Sequence, residues 1–295
     1  MISLFFPIAV TLLVVFSLVA FGRRRWKLGI ILAFASILLN IYSECFAIHF
    51  GLENSDQSLR LFAYNVNSLG DGFDDNATSI ADLVAQENPD FLYLTEYYEN
   101  TTDTLIRLLE DSYQYVDVSN RWAANEGDVL LSNWQIDSVK RLKQPYIAHS
   151  VYRVQISKSI DTVCIYCCHF TSNLLLSSPN KLEGLREGYR RRALEANMLY
   201  GAIKQERFPT LVIGDLNDLS GSYTVRRIEK AGMKDAWWKG GLGYGATYHD
   251  HGLRLRLDHI LYDDSSFQLC EIKTVGGRLS DHKGLVASFQ LLPKN

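Results

Sequence analysis

Thr210-Leu211-Val212-Ile213-Gly214-Asp215-Leu216-Asn217-Asp218 is the stretch on which the fold turns. Its first residues are β-compatible and apolar enough for a short buried strand, and Gly214-Asp215-Leu216-Asn217 stops that strand in a polar turn. Taken alone, this is an ordinary turn after a strand. Carboxylate and amide oxygens on a loop at a strand end are also what a rigid scaffold uses to present reactive groups. The same arrangement recurs along the chain.

Upstream, Leu59 to Val66 is strand-like and stops at Asn65-Val66-Asn67-Ser68. Ile80, Leu83 and Val84 predict a helix over Thr78 to Glu87, closed by Asn88-Pro89. Phe91 to Thr95 is a second strand reaching Glu96, and Asp103 to Glu110 suggests a helix. Val129–Leu131, Val151–Ile156 and Val163–Phe170 are β-rich, the last carrying His169. Leu185 to Lys204 is a strong helix, with Arg190, Arg191 and Arg192 expected largely on the side away from its apolar face, in solvent or in salt bridges. Downstream lie Leu257–Tyr262 with Asp258, then Asp281-His282 before Leu285–Phe289. Several adjacent strands have no helix between them, which disfavours a doubly wound sheet and favours two packed sheets flanked by helices.

The residues expected at strand ends are Asn65, Glu96, His169, Asp215 with Asn217, Asp258, and Asp281 with His282. Their oxygen donors suit Mg²⁺, Mn²⁺ or Ca²⁺, whereas zinc favours a Cys/His set. Two histidines beside a cation suit phosphate ester hydrolysis, which needs charge neutralisation, an aimed water and protonation of the leaving oxygen. Each residue has a bland reading as a strand terminator, a loop acid or a buried imidazole. Their joint occurrence, in order, outweighs it.

Leu61-Phe62-Ala63-Tyr64-Asn65-Val66, Pro89 to Glu96, Cys168-His169-Phe170, Ile213 to Asp218, Arg256-Leu257-Asp258-His259-Ile260 and Leu279-Ser280-Asp281-His282 together resemble the signature blocks of the endonuclease/exonuclease/phosphatase superfamily, the deoxyribonuclease I-like enzymes. The resemblance spans about residues 59–291 and implies a four-layer α/β/β/α sandwich with its site at one edge of the sheets. It implies Mg²⁺ or Mn²⁺, with Glu96 as principal ligand helped by Asn65 and Asp281. It further implies that Asp215 positions or deprotonates the attacking water, that Asn217 holds a phosphate oxygen and that His169 stabilises the pentacovalent oxyanion. His282 is then general base or phosphate clamp, oriented by Asp258. Two departures stand out. Asn133 and Gln135, on either side of Trp134, stand where a cation and a proline are common after the middle strand, and His259 stands where an aromatic is common.

The first 50 residues differ from the rest. Two apolar runs, about 2–21 and 28–49, flank a basic loop at 22–27 that holds Arg23, Arg24, Arg25 and Lys27. Both reach the roughly 20 residues that cross a bilayer, and together they predict a transmembrane hairpin. A cleavable signal peptide begins with positive charge, and this chain begins Met1-Ile2-Ser3-Leu4. The basic loop on the cytoplasmic side puts the remainder, a linker at 51–58 and a catalytic domain at 59–295, on the outer face, periplasmic or extracellular. Residues 51–295 hold 26 basic and 32 acidic residues, a formal charge of −6. That balance does not call for nucleic acid, which proteins usually meet with a basic patch.

The expectation is therefore a membrane-anchored, metal-dependent phosphodiesterase or nuclease. A phosphatase or phospholipase C-like hydrolase of lipid or soluble phosphoesters, and an inactive binding module, are the alternatives. The partners expected are a phosphoester (nucleic acid, lipid or small molecule) and the lipid bilayer, with no obligate protein. Cys164, Cys167, Cys168 and Cys270 read as buried free thiols, and Trp237-Trp238 as substrate-bordering or interface aromatics.

Overall fold

The computed structural model describes residues 2–49, 52, 58–67, 73–121, 126–142, 151–173, 179–250, 252–277 and 279–293. Apart from Leu52 and Ser58, the expected linker lies outside them. The helices are α1 (Phe6–Gly22), α2 (Trp26–Ser43), α3 (Phe73–Glu87), α4 (Glu99–Leu109), α5 (Lys181–Ile203), α6 (Tyr223–Glu229) and α7 (Ala236–Gly240). The strands are β1 (Ala47–Ile48), β2 (Leu59–Asn65), β3 (Phe91–Tyr98), β4 (Tyr115–Arg121), β5 (Glu126–Ser132), β6 (Gln135–Leu142), β7 (Val151–Lys158) and β8 (Asp161–His169). They continue as β9 (Thr210–Asp215), β10 (Met233–Asp235), β11 (Leu242–Gly243), β12 (Tyr248–Asp250), β13 (Leu253–Leu255), β14 (Asp258–Asp263), β15 (Phe267–Val275) and β16 (Gly284–Leu291).

These strands build two six-stranded sheets, ordered β10-β14-β9-β8-β7-β6 and β15-β16-β2-β3-β5-β4, and two short ribbons, β1-β11 and β12-β13. Strand alternation decides what each side chain faces. Leu61, Ala63, Leu130, Ile165, Cys167, Leu211, Ile213 and Ile260 meet between the sheets. The intervening Phe62, Tyr64, Leu92 and Leu94 turn outward under Ile80 and Val84 of α3 and Leu105 of α4. On the opposite side Tyr166, Cys168, Val212 and Leu261 pack under Ala196 and Leu199 of α5 and Val225 and Ile228 of α6. Three apolar layers thus separate four layers of structure, as expected. Each fully buried leucine, isoleucine or phenylalanine contributes about 1.5–3 kcal/mol.

In each sheet one pair of strands is parallel, β2 with β3 and β8 with β9, and the other ladders between described strands are antiparallel. A parallel pair needs a long crossover, and α3 and α5 supply the two. Their consequence is positional. The β2–β3 ladder ends with Asn65 opposite Thr95, and β8 and β9 end together with His169 opposite Asp215. The antiparallel neighbours begin where those strands end: Asp258 opens β14 opposite Asp215, and His282 lies two residues before β16. Asp258 and Asp281-His282 are therefore strand starts, not the strand ends expected, because their strands run the opposite way.

Other expectations change for physical reasons. Arg192 is fully buried, not solvated; it donates to the Thr171 carbonyl at 2.9 Å and to Asn173 Oδ1 at 2.8 Å, 3.5 Å from Asp218. Arg190 and Arg191 pair with Glu187 on the outer face. β6 goes unseen in the sequence because its half-exposed residues carry little apolar periodicity. The second apolar run stops being helical at Ser43, where Glu44 takes a left-handed φ of 51° and Ala47-Ile48 turns into strand. All five cysteines are buried and free.

Gly214 lets β9 pass close behind the site. Its φ is +120°, and a Cβ there would drive into the Cys168 carbonyl oxygen and come within 2.9 Å of the Tyr93 ring. Gly214→Ala should therefore cost at least about 1–3 kcal/mol of stability. Urea unfolding checks this, and an unchanged midpoint would contradict it.

Candidate active site

At this shared edge, the backbone register already brings three titratable groups into a row, His169, Asp215 and Asp258 on β8, β9 and β14. One donor atom each of Glu96, His169 and Asp215 lies within 4.8 Å of the others, and the same holds for Asp215, Asp258 and His282. Asp215 belongs to both sets and is the centre of the site.

The first sheet reaches across to it. Asn65 Nδ2 donates to Glu96 Oε1 at 2.9 Å and to Asp215 Oδ2 at 3.3 Å, while its side-chain Oδ1 accepts from the Asn67 N–H at 3.0 Å. β3 does not stop before Glu96 but carries it on a bulge, with a register shift between Leu94 and Tyr97 and a φ of 57° at Glu96. Asn217 also has a left-handed φ, of 51°. Non-glycine residues in this region cost roughly 1–3 kcal/mol each, and they gather where function needs an aimed side chain. Asn217 donates its backbone N–H to Asp215 Oδ1 at 2.7 Å and its amide to the Phe170 carbonyl at 2.9 Å.

Each histidine has its own acids. His282 Nδ1 is 2.7 Å from Asp258 Oδ2, and its Nε2 is 3.9 Å from Asp215 Oδ2. Burial opposes a charge on this imidazole, but Asp258 first, then Asp215 and Asp281, outweigh it and hold its pKa at about 10. His169 lies 3.5 Å from Glu96 Oε1 through Nε2 and 3.7 Å from Asp128 Oδ1 through Nδ1. There too burial opposes the charge, and Asp128 and Glu96 lift the pKa well above its ordinary value. Glu96 is held down to about 2 against its burial, chiefly by His169, then Asn65. Asp215 moves the other way, raised by burial and by Asp258.

Asp281 stands outside both donor sets. Its Oδ1 lies 3.2 Å from Ser280 Oγ, and its carboxyl is raised by burial and further by the charge of Glu96. A buried carboxyl raised by burial and a neighbouring acid, as Asp281 is, is what a hard cation relieves. The oxygen donors of Glu96, Asp281 and Asn65, the last after a half-turn of its amide, fit Mg²⁺ or Mn²⁺.

A second set of residues, which the sequence reading missed, holds this arrangement. Ser280 Oγ donates to the Asn65 carbonyl at 2.9 Å and accepts from the His282 N–H at 3.2 Å, tying β2 to the start of β16. Thr247 Oγ1 accepts from the N–H groups of Leu257 and Asp258, and its carbonyl takes the Lys283 N–H at 2.6 Å. The Tyr248 ring meets His282 edge-on at 5.1 Å. His259 is a buried bonding group as well as a packing one, with Nδ1 3.1 Å from Asp235 and Nε2 2.9 Å from the Asp218 carbonyl. Asp128 was the most legible of the missed groups. It shares strand parity with Leu130, which faces between the sheets, so an acid there points inward.

A sequence model of the Endonuclease/Exonuclease/phosphatase family matches residues 62–282. The chain belongs to that family. It is accordingly an enzyme that hydrolyses phosphoester bonds. Its fold is similar to that of humanized TDP2 from D. rerio (18% identity, TM-score 0.64, covering 79% of this chain and 99% of that one). It is also similar to the human nocturnin catalytic domain with bound sulfate (17%, 0.62, 82% and 96%) and to the 3′ phosphatase NExo from Neisseria bound to a product DNA hairpin (17%, 0.60, 79% and 99%). No curated protein matches the chain.

Asp258→Asn should bring the titration of His282 down from about 10 toward the ordinary imidazole value of about 6.5. Ring-nitrogen NMR of histidine-labelled protein reads it directly. An unmoved titration would show that Asp258 does not hold the proton on His282.

Proposed function

We propose that this chain is a divalent-metal-dependent phosphoesterase of the phosphodiesterase or nuclease type, held in a membrane by residues 1–50 and presenting residues 59–295 away from the cytoplasm. The observation that carries the reading is the meeting of two acid-backed histidines and the Glu96 side of the first sheet around one buried aspartate. The site is complete, which argues against an inactive binding module.

Glu96, Asn65 and Asp281 are the proposed metal ligands. A divalent cation bound there supplies neutralisation of the phosphate charge, a task for Mg²⁺ or Mn²⁺. Asp215 is the base. Its carboxyl is raised toward neutrality, where a general base works best, and Asn217 fixes its orientation. His282 stays protonated through neutral pH on Asp258 and so serves as a phosphate clamp, donating from Nε2. His169, kept charged by Asp128 and Glu96, is a second donor to charge developing on the phosphoryl oxygens. Asn217 provides an amide donor to a phosphate oxygen. Asp258 and Asp128 act through their histidines as positioning residues.

Two helices of 20 and 18 residues, Ser3–Gly22 and Trp26–Ser43, are long and apolar enough to cross a bilayer. Arg23, Arg24, Arg25 and Lys27 between and beside them support cytoplasmic placement of that turn. One experiment tests both parts. Intact cells should cleave an impermeant phosphodiester in Mg²⁺ or Mn²⁺, and Glu96→Gln should lower the rate by more than about 100-fold, beyond the usual cost of losing an outer partner of a metal site. Undiminished turnover contradicts the site, and turnover that emerges only after lysis reverses the orientation.

A further inference from the structure

The hairpin is fixed to the catalytic domain, not loosely tethered to it. Ser43, Cys45 and Ala47 are 0%, 1% and 1% exposed, sealed beneath that domain. Arg226 of α6 donates to the Tyr42 carbonyl and lies 4.0 Å over the Tyr42 ring. Gly221 comes so near that a Cβ would meet the Ser43 carbonyl oxygen at 2.8 Å. The Asn40 side chain exchanges two bonds of 2.9 Å with the Phe46 backbone, and the Phe46 ring packs on Tyr244 at 5.5 Å. β1 then pairs with β11, Ile48 opposite Leu242. A freely diffusing substrate gains nothing from so rigid a mount.

Membrane geometry tells what lies beneath it. The 18 residues of α2 span about 27 Å at roughly 1.5 Å per residue, close to the ~30 Å hydrocarbon layer. An α2 that crosses the bilayer therefore has both ends at interfaces. β1 starts four residues after Ser43, so the β1-β11 ribbon lies at headgroup depth.

The surface there matches that position. Ile48, Leu242 and Leu253 are 70%, 60% and 59% exposed. A groove of about 580 Å³ between α1 and α2 is lined by Ile48 and Trp238. A cleft of about 760 Å³ is bordered by Leu242 of the ribbon together with Tyr244, His249, Arg254 and Lys283. This cleft adjoins the catalytic edge. The His249 N–H donates to the Asp281 carbonyl at 2.8 Å, and Lys283 follows His282. Asp250 also borders the cleft and takes the Tyr248 hydroxyl at 3.4 Å. Two permanent cations, Arg254 and Lys283, thus line the same cleft as Leu242 of the ribbon, in a domain whose formal charge is −6.

We infer that the substrate is a phosphoester carried on a bilayer lipid. Its acyl chains stay in the membrane against Ile48, Leu242 and Trp238, and its headgroup enters the cleft between Arg254 and Lys283. Hydrolysis forms a bond from the water oxygen to phosphorus and breaks an ester P–O bond, the water proton ending on the leaving oxygen. The inference rests on the phosphoesterase and membrane readings above and adds the substrate class to them.

The test uses the full chain reconstituted with Mg²⁺ or Mn²⁺ in phosphatidylcholine vesicles that also carry phosphatidylglycerol, phosphatidic acid or a phosphatidylinositol phosphate. Short-chain soluble counterparts of the same headgroups and single-stranded DNA run in parallel. At least one vesicle-borne ester should be cleaved about tenfold or more faster than its soluble counterpart, because docking confines it beside the site. Ile48→Glu, or the milder Leu242→Gln, should remove that advantage and leave the soluble rate intact, which also reports correct folding. Cleavage of DNA or soluble esters with no vesicle-borne ester cut overturns the inference and leaves the phosphoesterase reading standing. An advantage untouched by both variants overturns the docking surface, and cleavage of nothing defeats the phosphoesterase reading itself.

Discussion

The ladder β8-β9-β14, read at its open edge, is the constraint on which the site depends. Parallel pairing places His169 opposite Asp215, and antiparallel pairing places Asp258 opposite the same residue. A slip of one residue in either ladder would turn Asp215 or its neighbour to the far face of the sheet. The apolar layer prevents that slip, since Ile165, Cys167, Leu211, Ile213 and Ile260 all lose their burial between the sheets with it. Packing on one part of each strand thus sets the geometry of the reacting groups at its end. The second sheet is brought to the same point by Asn65, which bonds to Asp215, and by Ser280, which holds the Asn65 carbonyl.

Electrostatics works against folding here. The site gathers five carboxylates, Glu96, Asp128, Asp215, Asp258 and Asp281, and answers them with two imidazoles, His169 and His282. Burying charges costs more than apolar packing of the same volume, so such a cluster is a poor stabiliser. It sets two imidazoles, each against its own acid, around the one buried carboxylate of Asp215. The left-handed backbone at Glu96 and Asn217 adds strain in the same place. Stability comes instead from the three apolar layers.

Much of this was legible in the sequence because the determinants are local. A short apolar run followed by Gly-Asp-x-Asn announces β9 and its loop, and Ser-Asp-His announces the turn before β16. The four layers follow from strands lacking intervening helices. What stayed hidden is non-local. Arg192 looks like part of an exposed basic run, and only the loop beneath α5, with Thr171, Asn173 and Asp218, makes a buried place for it. Thr247 and Ser280 are ordinary polar residues until the chain folds them onto Asp258 and Asn65. Hydropathy marked the second apolar run to about residue 49, yet Cys45 and Ala47 near its end are buried by the domain and not by the other helix. Burial of either kind looks the same in sequence.

The central claim is that Glu96, Asn65 and Asp281 hold a divalent cation at the edge shared by both sheets. Anomalous scattering from a crystal soaked in Mn²⁺ tests it most directly. The account predicts a manganese peak in bonding contact with the Glu96 carboxylate, lost in the Glu96→Gln protein. A peak bound elsewhere, or one at this edge that survives that substitution, would contradict it.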